Sequence, residues 1–95
     1  MRFDGFDWDD GNWPKCAQHG LSRPGIEAVF RNGPLTDADP STMEQRFRAV
    51  GRNDEGRYVF VVYVIRIRDG LKLLRPISAR FMHTKEIKRY EQAKA

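Results

Sequence analysis

The sequence holds one cysteine, Cys16, in 95 residues. An internal disulfide is therefore impossible and a cysteine-based metal site is a poor fit, which leaves a small buried thiol as its expected role. No stretch approaches the roughly 20 apolar residues of a membrane-spanning helix. The opening "MRFDGFDWDD" has neither the charged start nor the apolar run of a secretory signal. A cytoplasmic location with no membrane partner is the expectation. Also missing are a Gly-rich phosphate loop, H-E-x-x-H and G-x-S-x-G. The two histidines, His19 and His83, lie 64 positions apart with no evident third ligand, so neither a metal nor another cofactor is expected.

What is present is compact and strongly divided in charge. A chain of this length supports a single modest core, so one domain over residues 1–95 is expected, and 40% hydrophobic residues suffice to build it. The net charge of +4 hides an asymmetry. Residues 1–45 carry four basic and eight acidic side chains, and residues 46–95 carry thirteen and five. Twelve of the seventeen cations are arginine, whose planar fork suits phosphate better than lysine does. An anionic partner follows as a candidate: RNA, DNA or an acidic protein.

Phe6 and Trp8 flank Asp7 at a spacing of two, the pattern of a short strand. Asp9 or Asn12 then caps a helix from about Trp13 to Gly20, with Pro14 in its first turn. Ser22 opens a second helix, with Pro24 in its first turn, Ile26, Val29 and Phe30 on one face, and "NGP" at 32–34 as its end. "PLTDADPSTM" at 34–43 reads as a surface loop. From Met43 the period becomes two: Phe47 and Ala49 point one way, while Arg46, Arg48, Val50 and Arg52 point the other. "RYVFVVYVIRIR" is apolar on both faces as far as Ile65, as a central strand is, and ends with Arg66 and Arg68 on one face. Asp69-Gly70 predicts a hairpin into "LKLLRPISAR", where Pro76 cannot donate to a ladder and so predicts a bulge. From about His83 the period is helical, with His83, Ile87 and Tyr90 as the inward stripe. The predicted order is β-α-α-β-β-β-α, an α+β fold with an antiparallel sheet and helices packed on it.

Arg46, Arg48 and Arg52, then Arg66 and Arg68, then Arg75 and Arg80 come from three strands that would lie side by side, about 4.8 Å apart. So many like charges repel unless anions join them. A bound polyanion would do so, and so would carboxylates from the acidic first half. Metal-free RNA cleavage needs a group to take the 2′-hydroxyl proton, cations to stabilise the phosphorane, and a group to protonate the leaving 5′-oxygen. Arginines supply the second, and His83, Glu86 and Tyr90 are candidates for the others. Each also has an ordinary structural reading: His83 as a helix cap, Glu86 as the partner of Arg89, and Tyr90 as a packing residue. Trp8 and Trp13 could stack on bases or pack the first strand against the helices. Composition and spacing leave these alternatives open.

In chain order, "FDWD" at 6–9, "KCAQHGLS" at 15–22, "EQRFRAVGR" at 44–52, "VFVVY" at 59–63 and "RPISARFMHTKEIKRYE" at 75–91 resemble the BrnT toxin family. This is the ribonuclease half of the bacterial BrnT/BrnA toxin–antitoxin modules. The resemblance implies a RelE-like fold and a metal-independent endoribonuclease that halts translation. It also implies a ribbon-helix-helix antitoxin, through which alone operator DNA would be met. The matching positions are Trp8, Asp9, Lys15, His19, Gly20, Arg46, Phe47, Gly51, Arg52, Ser78, Ala79, Arg80, Glu86, Tyr90 and Glu91. "ISARFMHTKEI" departs from the family's usual text, with His83 and Lys85 in place of other polar residues. On this footing Arg52, Arg66 and Arg80 would hold the scissile phosphate of an mRNA, and His83, Glu86 and Tyr90 would move protons. Lys15, His19, Arg46, Arg48, Arg68, Arg75 and Lys85 would bind RNA along the way. The antitoxin is expected to cover the basic face. The competing reading is a non-catalytic RNA- or protein-binding module, an inactive homologue of the toxin.

Overall fold

A computed structural model describes residues 2–17, 20–39 and 45–94. Its elements are β1 (Gly5–Phe6), α1 (Arg23–Arg31), β2 (Leu35–Asp39), β3 (Arg46–Arg52), β4 (Tyr58–Arg68), β5 (Leu71–Phe81) and α2 (Thr84–Lys94). The five strands form one sheet in the order β1-β5-β4-β3-β2. Every neighbour pair is antiparallel except β1 with β5, which is parallel, so the sheet is mixed and not purely antiparallel. The α+β class holds, but the element order is β-α-β-β-β-β-α.

Two local expectations fail for identifiable reasons. Among the described residues of the predicted helix from Trp13 to Gly20, no regular helix forms. Residues 9–17 instead make successive turns, in which the Asn12 and Trp13 amides donate to the Asp9 carbonyl and the Cys16 amide donates to Asn12. Pro14 offers no amide hydrogen to continue them. The chain also docks on β5, where the Ala79 amide donates to the Cys16 carbonyl. Asn12 does not cap. Its buried carboxamide accepts from the Asp9 amide and donates to the carbonyls of Asp7 and Pro76, fastening the turn to β5. The predicted loop at 34–43 contains β2, while its Pro40–Met43 part lies outside the described residues. β2 is an edge strand with a mostly exposed surface; in register Asp37 and Asp39 stand across from Arg48 and Arg46, and Asp39 pairs with Arg48 at 3.8 Å.

The signals for α1, the hairpin and the bulge formed as expected. The Ser22 hydroxyl accepts from the Gly25 amide at the start of α1, and Ile26, Val29 and Phe30 are buried beneath it. Asp69 and Gly70 both adopt positive φ, the backbone of a two-residue hairpin whose twist suits the strands. The β4–β5 register slips by one residue beside Pro76: Tyr63 stands opposite Pro76 and Val62 opposite Ser78, leaving Ile77 as the bulged residue.

That slip sets what each face of the sheet presents. On one face Ala49, Val59, Val61, Tyr63, Leu74 and Ala79 pack with Cys16, Leu21 and α1 to make the core. Phe30 joins this core to Phe3, Phe6 and Tyr63 through ring contacts of 5.0–6.3 Å. Gly51 lies where β3 passes under Pro34 and Val29, whose atoms would be 3.3–3.4 Å from any added β-carbon. The opposite face carries the arginines, and α2 lies across one end of it, with Tyr90 buried against Tyr58 at 5.3 Å.

Candidate active site

The register puts the side chains of Arg46, Arg48, Arg52, Arg66, Arg68, Arg75 and Arg80 on that one face. Arg52 pairs with Tyr58 and Arg48 with Val62 across β3–β4, and Arg80 pairs with Phe60 and Arg75 with Val64 across β4–β5. They do not form one cluster. Arg66 is eight residues beyond Tyr58 on β4, about 26 Å at the rise of a strand, so it is not beside Arg52 and Arg80 as the sequence suggested.

The Arg66 end is bound up in carboxylates. Asp7 is 6% exposed, and its Oδ2 lies 3.2 Å from Arg68 and 3.4 Å from Arg75. Arg75 also grips Asp9 with both Nη atoms, at 3.0 and 2.9 Å, which holds the Asp9 carboxyl below its usual range. This arrangement clamps the first strand and the following turn onto β5. Midway along the face, Arg48 reaches Asp39 at 3.8 Å. Carboxylates of the acidic first half thus meet cations of the basic second half within one molecule.

At the α2 end the geometry differs. Arg52 is exposed, donates from Nη2 to the Tyr58 hydroxyl at 2.6 Å, and lies over that ring at 4.8 Å. Tyr58 in turn meets Tyr90 edge-on. Arg80 lies over Phe60 at 4.7 Å and forks onto Glu86 with two bonds of 2.8 Å. Glu86 also accepts from the His83 amide at 2.9 Å, while the Ile87 amide donates to the His83 carbonyl. His83 is therefore the N-cap of α2 and Glu86 its third residue, the arrangement in which a carboxylate reaches back to close a helix start. Arg80, and then the His83 amide, hold the Glu86 carboxyl down at about 2. It is a fixed anion at neutral pH. The His83 side chain is exposed, so the inward stripe of α2 consists of half-buried Ile87 and buried Tyr90.

Of the remaining candidates, Lys15 is exposed in the turn after β1, Lys85 is exposed in the first turn of α2, and His19 lies outside the described residues. Trp8 and Trp13 pack edge-on at 5.6 Å, and the Trp8 indole donates to Glu27 of α1. Among the described residues no three His, Cys, Asp or Glu side chains converge as a metal site, and no helix is long and apolar enough to cross a membrane.

The family described as "Ribonuclease toxin, BrnT, of type II toxin-antitoxin system" matches residues 8–86. The chain belongs to this family. The match takes in both ends of the basic face and closes at Glu86, four residues before Tyr90. Family membership implies RNA as the substrate and an antitoxin as the partner. No curated protein matches the chain in sequence.

Sequence reasoning missed Tyr58 and Phe60, which lie under Arg52 and Arg80. They lie in an apolar run that reads as a central strand buried on both faces. The alternation itself held the signal, since their even positions share a face with Arg66 and Arg68.

Proposed function

We propose that the chain is a metal-independent endoribonuclease whose reacting phosphate sits at the α2 end of the basic face, between Arg52 and Arg80. The observation that carries this reading is the placement of those two guanidiniums on β3 and β5, with β4 between them. By strand spacing their backbones are roughly 12 Å apart, a gap that two long side chains can close on one phosphate. Each lies over an aromatic ring that limits where it can swing, a form of preorganisation that favours charge developing on a phosphorane.

Glu86 then fixes Arg80 and does not itself move protons. His83, exposed at the start of α2, and the hydroxyls of Tyr58 and Tyr90 are the proton-transfer candidates for 2′-hydroxyl attack. Arg66, Arg68 and Arg75 hold the fold together at the far end and touch no reacting atom. In this reading the fold is RelE-like, cleavage arrests translation, and a ribbon-helix-helix antitoxin neutralises the toxin by covering the α2 end.

The test is cleavage of RNA by purified protein in excess EDTA. Arg80→Ala should lose at least about a hundredfold in rate, the scale of removing one transition-state donor, while Arg66→Ala should stay within about threefold. Equal losses in the two variants, or no cutting by the parent protein in EDTA, would overturn the assignment.

A further inference from the structure

A groove of about 590 Å³ runs between α2 and the sheet, directly beside the proposed phosphate position. Val50 and Phe60 form its floor, Asp37 and Arg48 its strand side, and Arg89 and Tyr90 its helix side. It shares Phe60, Glu86 and Tyr90 with the site just described, so any chain whose phosphate lies between Arg52 and Arg80 has its neighbouring nucleotide at the mouth of this groove.

The groove is built unlike the rest of the basic face. Elsewhere on the face Arg68, Arg75 and Arg80 face carboxylates, while on the groove itself Arg48 reaches Asp39 at 3.8 Å. On the groove rim the Arg89 guanidinium pairs with no carboxylate among the described residues, although Glu86 is three residues away on the same helix and is fully engaged by Arg80 and the His83 amide. Arg48 points its Nε inward, where it is buried and meets no hydrogen-bond acceptor. Asp37 uses one carboxylate oxygen for the Ala38 amide, which leaves the other for a donor. An aromatic and aliphatic floor with the Arg89 guanidinium on its helix wall and an accepting Asp37 oxygen on its strand wall suits a planar ring with a mixed hydrogen-bonding edge.

We infer that this groove is a nucleobase pocket, taking the base next to the scissile phosphate of a single-stranded RNA and so setting where the toxin cuts. The inference rests on the ribonuclease reading for its ligand. Its test does not depend on cleavage. Affinity is measured for a series of short 2′-O-methyl RNA oligonucleotides, which the protein cannot cut by 2′-hydroxyl attack, with one abasic position moved along the chain.

The parent protein should lose about five- to a hundredfold in affinity when one particular base is removed, the range for a base stacked on an aromatic side chain. Removal of bases elsewhere should matter much less. Ala93→Trp, an exposed helix position on the groove wall, should fill the pocket and flatten this dependence on position. Arg89→Gln gives a second variant at an exposed site, and it should weaken binding of the full oligonucleotide but hardly change that of the abasic one. A flat abasic profile for the parent, or an unchanged profile in Ala93→Trp, overturns the pocket even if ordinary RNA is still cut. A clear profile alongside uncut ordinary RNA leaves the pocket standing and removes the ribonuclease reading.

Discussion

Replacing Glu86 by glutamine separates a carboxylate that positions Arg80 from one that transfers protons. Its carboxyl is held at about 2 against an ordinary 4.5. At 1.36 kcal/mol per pH unit this sets a ceiling of about 3 kcal/mol on what the ionised form contributes. The Arg80 and Glu86 side chains are 36% and 30% exposed, and solvent screening of such a pair brings the figure to about 1 kcal/mol. Because the folded value is depressed, this stabilisation is complete above 4.5 and is lost as the pH falls towards 2. Urea denaturation should therefore show Glu86→Gln about 1 kcal/mol less stable than the parent at pH 7 and equal to it near pH 2. In cleavage assays the variant should be slower by roughly three- to thirtyfold, since Arg80 loses one partner. The shape of the pH–rate profile should not change. A loss of about 10²–10⁴-fold together with the disappearance of one limb of the profile is the signature of a general acid or base, and would refute the positioning role.

Asp7→Ala should cost about 2–3 kcal/mol in the same denaturation experiment, because it leaves Arg75 facing a buried gap. Its cleavage per folded molecule should match the parent, and a change below about 0.5 kcal/mol would mean that Asp9 alone holds the clamp. Cys16 is 1% exposed and burial pushes its thiol up to about 11, so a thiol reagent at pH 8 should label it only at the rate of opening or unfolding. Immediate labelling of the native protein would contradict the docking of the 9–17 turns on β5. Gly51→Ala should destabilise by about 1–3 kcal/mol, as its methyl would press on Pro34 and Val29. An unchanged denaturation midpoint would show that this contact yields freely.

The sequence disclosed those parts of the fold that depend on local chemistry. Ser22, Pro24 and "NGP" bracket α1, Asp69-Gly70 makes the hairpin, and Pro76 marks the bulge, because each acts through its own backbone or nearest neighbours. What it concealed depends on partners distant in the chain. "LTDAD" is a strand beside β3, with Arg46 and Arg48 opposite its aspartates, and the parallel seat of β1 is fixed by backbone bonds to Lys72 and Leu74. The same holds for the site. The short stretch that holds Arg80, His83 and Glu86 is marked in the sequence, but spacing pairs Glu86 with Arg89 three residues on, and its partner is Arg80 across the strand–helix junction. The separation of Arg66 from Arg52 depends on the antiparallel register, which sets Arg52 against Tyr58 at the start of β4 and leaves Arg66 near its other end. Tyr58 and Phe60 were hidden because an aromatic residue beneath a guanidinium reads, in sequence, the same as one in a core.

The carboxylates along the arginine face also bear on how the protein should respond to salt. Asp7, Asp9, Asp39 and Glu86 act as counterions that the chain carries with it, and these are not released when RNA arrives. Each phosphate neutralised on a single strand contributes about −0.7 to the slope of log affinity against log salt. Seven arginines acting freely would give a slope near −5. With Arg48, Arg68, Arg75 and Arg80 already facing carboxylates of the chain, the slope should be clearly shallower than that. RNA binding by so basic a chain would then depend more on aromatic contact and shape than on charge, and would persist at ionic strengths that strip RNA from an ordinary polycation.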